Sequence, residues 1–175
     1  MSRRLHIGAT ARVSGWEVLD ANAAPYVDHV GNANDLSRFA EHSFSALYAS
    51  HVLEHLDYTG ELVATLKEWR RVLEPGGSLH VSVPDMDVLA DLFQLKDRLS
   101  VNERFQVMRM MFGGHVDRYD YHLVGLNEEF LTQFLITAGY SSVERVADLG
   151  LFEDTSRLHF RGMPISLNMT AANPR

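Results

Sequence analysis

Between Thr59 and Val83 the chain changes its hydrophobic period once, and that change restricts the fold more than any other feature. Leu62, Leu66, Trp69 and Leu73 recur at steps of four, three and four, which lays one apolar stripe along a helix. Thr59 is suited to cap that helix and Glu61 to sit in its first turn. Pro75-Gly76-Gly77 breaks it, and Ser78 to Val83 then alternates, L-H-V-S-V, as a half-buried strand does. Upstream, Ala46 to Ala49 is a short apolar run of the kind a buried strand uses, and Ser50, His51, Glu54 and His55 follow it abruptly. Strand, helix and strand in this order imply a parallel unit with a polar crevice at the strands' carboxyl ends, where α/β proteins hold ligands.

The flanking chain extends the same plan. Arg4 to Gly8 reads as one strand, and Trp16 to Leu19, followed by Asp20, as a second. Only Ala9 to Gly15 separate them, whereas a parallel crossover normally takes a dozen residues or more, so the connection is abbreviated or its helix lost. Tyr26 to Val30 is a third strand, Gly31 to Leu36 a polar loop, and Ser37 to Glu41 a short helix. Beyond Pro84, Asp85 caps a helix with Val88, Leu89, Leu92 and Phe93 on its apolar face. A further helix, Val101 to Phe112, carries Val101, Phe105, Met108 and Phe112 at helical spacing, and Gly113-Gly114 ends it. Asn127 caps a helix with Phe130, Leu131, Phe134 and Leu135 on one face, and Gly139 stops it. Ser142 to Val146 is a strand, and Ile165, Leu167, Met169 and Ala171 alternate as the last one. The stretch Leu149 to Met163 between them is too long for a tight hairpin. The fold expected is α/β: a doubly wound, mostly parallel, Rossmann-like sheet with an antiparallel C-terminal strand and the first helices shortened or missing.

Composition narrows the function. With 175 residues, 46% of them hydrophobic and no long apolar run, one soluble globular domain is expected over 1–175. The Met-Ser-Arg-Arg start lacks the apolar core of a secretory signal, which makes the cytoplasm the default compartment. The absence of cysteine excludes disulfides, thiolate metal sites and a cysteine nucleophile. A formal net charge of -7 argues against nucleic acid and anionic membranes as partners, since both are bound by clustered Lys and Arg.

S-H-V-L-E-H-L after the buried strand, R-V-L-E-P-G-G after the helix and S-L-H-V-S-V-P-D beyond it carry a resemblance to the class I S-adenosylmethionine-dependent methyltransferases, most of all their small type-11 group. The likeness covers Leu5 to Pro84, and D-Y-H-x-x-G-L-N-E-E-F-L through A-G-Y fits the tail of such enzymes. The resemblance implies a single methyltransferase-like domain with S-adenosyl-L-methionine as cofactor. It places Gly8 beside the methionine part, Asp20 on the ribose hydroxyls, Asp35 and the Leu36 backbone on the adenine, and Ser50 and His51 near the sulfonium. His51 is then either a wall of the cofactor site or the catalytic proton acceptor. The stretch His115 to Gly125, with His115, Tyr119 and His122, falls where the family holds its acceptor, and is otherwise a solvated loop.

Two departures set expectations of their own. The family's G-x-G-x-G loop is reduced to Gly8-Ala9-Thr10, and Asp20 follows Gly8 closely. The helix that normally precedes the first strand is missing, so one sheet face should be bare, and a homodimer is expected to cover it. Asp20 also reads as a turn residue and Asp35 as a helix cap. No metal-ligand cluster is expected, because the sulfonium already activates the methyl group. His51-Val52-Leu53-Glu54-His55 does match H-x-x-E-H, the zinc pattern of inverted zincin peptidases, but its first histidine sits at a strand end. The functional expectation is methyl transfer to a small or carbohydrate-like acceptor. The alternatives are a catalytically degenerate binding or assembly subunit of the same fold and, remotely, a zinc peptidase.

Overall fold

The computed structural model describes residues 2–175. Five strands run parallel: β1 (Arg4–Ile7), β2 (Glu17–Asp20), β3 (His29–Val30), β4 (Phe44–Ser50) and β5 (Leu73–Pro84). Near the C-terminus come β6 (Ser141–Val146), a two-residue hairpin β7 (His159–Phe160) and β8 (Met163–Pro164), and β9 (Ser166–Ala172). In the main sheet the order is β3-β2-β1-β4-β5-β9-β6, and β9 lies antiparallel to both of its neighbours. The helices are α1 (Glu61–Val72), α2 (Met86–Gln94), α3 (Val101–Phe112) and α4 (Glu128–Thr137). None of them is long and apolar enough to cross a membrane. The expected α/β sheet, mostly parallel with an antiparallel C-terminal strand, is present.

The odd-numbered residues of the central strands build the main core. Leu5, Ile7, Leu47, Leu79, Val81 and Leu167 are buried there against Leu62, Leu66 and Trp69 of α1 and Leu131 and Leu135 of α4. The Trp69 Nε1–H donates to the Ala33 carbonyl at 2.7 Å, so the buried helix also pins the loop after β3. Asp85 and Asn127 cap α2 and α4 as the sequence implies.

Several local expectations need correction. The third strand shrinks to two residues, and Ser37 to Glu41 forms turns rather than a helix. Gly60, not Thr59, precedes α1, because Thr59 donates its N–H and hydroxyl to Asp57. The helix ends at Val72, since Leu73 already pairs with Phe44. On α3 the anticipated apolar face is turned outward. Val101 is 82% exposed, Phe105 and Phe112 also stand in solvent, and Val107 enters the small cluster with Leu89 and Leu92. The stripe was correctly spaced, but spacing does not say which side has a partner.

No helix lies between β1 and β2, which are joined by the short loop 8–16. The second sheet face is nevertheless covered, contrary to expectation. The segment from Ala147 to Leu158 crosses it and seats Phe152 against His6, Trp16 and Tyr48. Hydrogen bonds fasten this strap. The Tyr48 hydroxyl donates to Asp154 at 2.9 Å, the Ser50 and Thr155 hydroxyls are hydrogen-bonded to each other at 2.6 Å, and Asn168 donates to the Ser156 carbonyl at 3.0 Å.

Candidate active site

β1, β2 and β4 are parallel and in register, so Gly8, Asp20 and His51 emerge side by side at the strands' carboxyl ends. They line a crevice of about 590 Å³, together with Asn32, Asn34, Val52 and Glu61. Gly8 has φ +75, and its N–H donates to the Leu19 carbonyl at 2.9 Å. A Cβ at this position would come within 2.7 Å of Val52 Cγ2, so a side chain here would both strain the backbone and press on the crevice wall. Asp20 Oδ1 accepts the Asn22 N–H at 2.7 Å, which fixes the carboxylate where β2 ends.

A second cavity of about 580 Å³ adjoins the first and is lined by His55, His115, Asp117, Arg118, Tyr119 and Tyr121. Three residues, His55, Arg118 and Tyr119, line both. His115 stacks on Tyr121 with ring centroids 4.0 Å apart, so that part of the loop is ordered by its own aromatic packing.

The other residues singled out from the sequence fall elsewhere. Ser50 faces the strap, as strand alternation requires once Ala49 points into the main core. Leu36 is fully buried in that core. Asp35 stands exposed, and hydrogen bonding from Ser37 holds its carboxyl below the usual carboxylate range. Within the loop after β3 the lining of the crevice ends at Asn34, one residue short of Asp35. His122 lines neither cavity and packs edge-on against His55, with ring centroids 5.0 Å apart. Asn32, Asn34, Val52, Glu61 and Arg118 were not singled out. The polarity of Gly31-Asn32-Ala33-Asn34 immediately after a strand was the available signal for the first two.

The polar groups after β4 have unusual surroundings. His51 adopts φ +54, a strained backbone for a residue with a side chain. Its Nε2 lies 3.1 Å from Ser166 Oγ, and that hydroxyl donates to the Thr155 carbonyl at 2.7 Å. The hydroxyl proton is therefore committed, and His51 Nε2–H is the donor. His51 Nδ1 faces Glu54 Oε1 at 3.6 Å. Burial pulls His51 down to about 4 and pushes Glu54 up to about 8, so near neutral pH the pair is predominantly uncharged. One ligand atom each from Glu54, His55 and His122 lie within 4.8 Å of one another, a grouping not expected from the sequence. The sequence could not show it, because His122 is brought in from a distant loop.

Residues 11–81 match the family model described as a methyltransferase domain. The whole chain superposes on solved structures at low identity. A SAM-dependent methyltransferase from Archaeoglobus fulgidus is 14% identical, with 98% of this chain and 86% of that one covered and a TM-score of 0.62. Another from Methanosarcina mazei is 15% identical over 99% and 92%, with a TM-score of 0.59. The CurJ carbon methyltransferase is 18% identical over 99% of this chain, which spans only 49% of that longer one, with a TM-score of 0.58. No curated protein matches the chain significantly in sequence.

Proposed function

From the fold of the class I S-adenosylmethionine-dependent methyltransferases, we propose that this chain transfers the methyl group of S-adenosylmethionine to a small or carbohydrate-like acceptor. The observation that carries the reading is the pair of adjoining cavities that share His55, Arg118 and Tyr119. One lies over the ends of β1 and β2 and the other under a polar, aromatic loop, which suits two ligands meeting at one wall. S-adenosylmethionine occupies the first. Gly8 lets the backbone approach its methionine part, Asp20 accepts hydrogen bonds from the ribose hydroxyls, and Asn32 to Asn34 face the adenine. The acceptor occupies the second, against His115 and Tyr119. Methyl transfer from a sulfonium needs mainly alignment of the nucleophile with the methyl carbon, and exclusion of competing water. His51, with its ring nitrogens facing Ser166 and Glu54, serves as a wall that orients rather than as a free base.

A catalytically degenerate subunit would be expected to fill its cofactor crevice with side chains, and here the crevice is open. Titration calorimetry with S-adenosylhomocysteine tests the proposal. Binding of one molecule per chain supports it, and no heat up to about a millimolar ligand, the weak end of ordinary affinities, removes it. Self-association is proposed through the exposed Val101, Phe105 and Phe112 face of α3, since the strap already covers the sheet. Light scattering reports a dimer for the wild type and a monomer for Phe105→Glu if this is so.

A further inference from the structure

Glu54 does not line the crevice, and its carboxylate is buried to 1% exposure with neither oxygen hydrogen-bonded, the His51 Nδ1 it faces standing 3.6 Å away. A buried carboxylate without donors is unfavourable unless a proton or a cation completes it. The surrounding atoms are lone-pair donors. His55 Nε2 lies 4.0 Å from Glu54 Oε1. The opposite ring nitrogen of His55, Nδ1, is 3.1 Å from the Tyr121 carbonyl. A carbonyl only accepts, so Nδ1 carries the proton and Nε2 presents its lone pair towards Glu54. Metal-bound histidines are held in this way, with the far nitrogen donating to a backbone carbonyl. His122 completes the group, its ligand atom within 4.8 Å of the other two. Donors around one ion at about 2.1 Å stand roughly 3–4 Å apart, so the three close onto a cation with shifts of about 1 Å. The backbone also joins the two segments, because the Leu123 N–H donates to the Glu54 carbonyl at 2.7 Å.

We propose that Glu54, His55 and His122 bind one divalent first-row transition cation of the Zn²⁺ type, with its open coordination positions towards the cavity that His55 shares with Tyr119. Two imidazoles and one carboxylate suit such an ion over Mg²⁺ or Ca²⁺, which prefer all-oxygen shells. The site stands on the cluster alone. Its further role, holding an oxygen of the acceptor beside the methyl donor, rests on the methyl-transfer reading above.

The experiment is titration of the chelator-stripped full chain with Zn²⁺, and with Mg²⁺ for comparison, followed by calorimetry and thermal melting. The proposal expects one Zn²⁺ per chain, a raised melting temperature, and affinity lowered at least about tenfold in both His55→Ala and His122→Ala. His80→Ala, on another part of the sheet, keeps the wild-type affinity. Circular dichroism confirms that the variants are folded, and should one not fold, the other carries the comparison. No Zn²⁺ binding at about 100 μM, or full binding in a folded His55→Ala or His122→Ala variant, overturns the site and leaves Glu54 as a buried, protonated acid. S-adenosylhomocysteine is titrated into the same samples, so that loss of the metal site and loss of the methyl-transfer reading are separate results.

Discussion

His6 makes the strap testable by acid. The side chain is 5% exposed, with its ring 4.3 Å from Phe152 and 4.7 Å from Tyr48, and burial lowers its pKa to about 4 against a weak pull upward from Asp154. In the unfolded chain the same imidazole titrates near 6.5. The unfolded state thus takes up a proton that the folded state excludes. The stability contributed by neutral His6 is fully present above about pH 6.5 and is lost as the pH falls towards about 4. The whole shift corresponds to roughly 3 kcal/mol, and about 2 kcal/mol of it is lost by about pH 5. Urea unfolding of the wild type and His6→Phe at about pH 7.5 and about pH 5 isolates the effect from other titrating groups. Phenylalanine keeps the aromatic packing and removes Nδ1, which has no hydrogen-bond partner. The wild type should lose about 2 kcal/mol more than the variant between the two conditions. Equal losses would refute the argument, because His6 would then be open to protons and the strap would not be a cover.

Other outcomes follow from the same geometry. Phe152→Ala should cost about 3 kcal/mol and lower the melting temperature by roughly 6–12 °C; a loss under about 1 kcal/mol would mean that the strap is not integral to the core. Gly8→Ala, which meets φ +75 and the Val52 methyl together, should weaken S-adenosylhomocysteine binding at least about tenfold by calorimetry, and unchanged affinity would separate Gly8 from the cofactor. Asp20→Ala should lower that affinity by about 10–100-fold with little change in melting temperature, and retention of binding would reduce Asp20 to a turn residue.

The parts legible in the sequence are those decided locally. The unit of β4, α1 and β5 follows from a change of hydrophobic period, and Asp85 and Asn127 announce their helices because a cap acts on the next two or three N–H groups. Ser50 was misplaced although strand alternation was available: with Leu47 and Ala49 facing the core, Tyr48 and Ser50 must face the other way. The strap was not legible, since Phe152 reaches His6 and Trp16 from the far end of the chain and nothing in its own neighbourhood carries that partner. The same holds for Glu54, His55 and His122. Two of these are adjacent, but their meaning depends on a third residue delivered by the loop before α4. On α3 the spacing identified a real face and could not tell an inner from an outer one.

If S-adenosylmethionine binds in the crevice at the ends of β1, β2 and β4, backbone amide NMR during titration with S-adenosylhomocysteine will locate it there. Binding in this crevice should give saturable shifts centred on Gly8, Asp20, Asn32 and His51, with Tyr119 at the margin and the α3 face silent. Shifts confined to another surface, or none at saturating ligand, would contradict it.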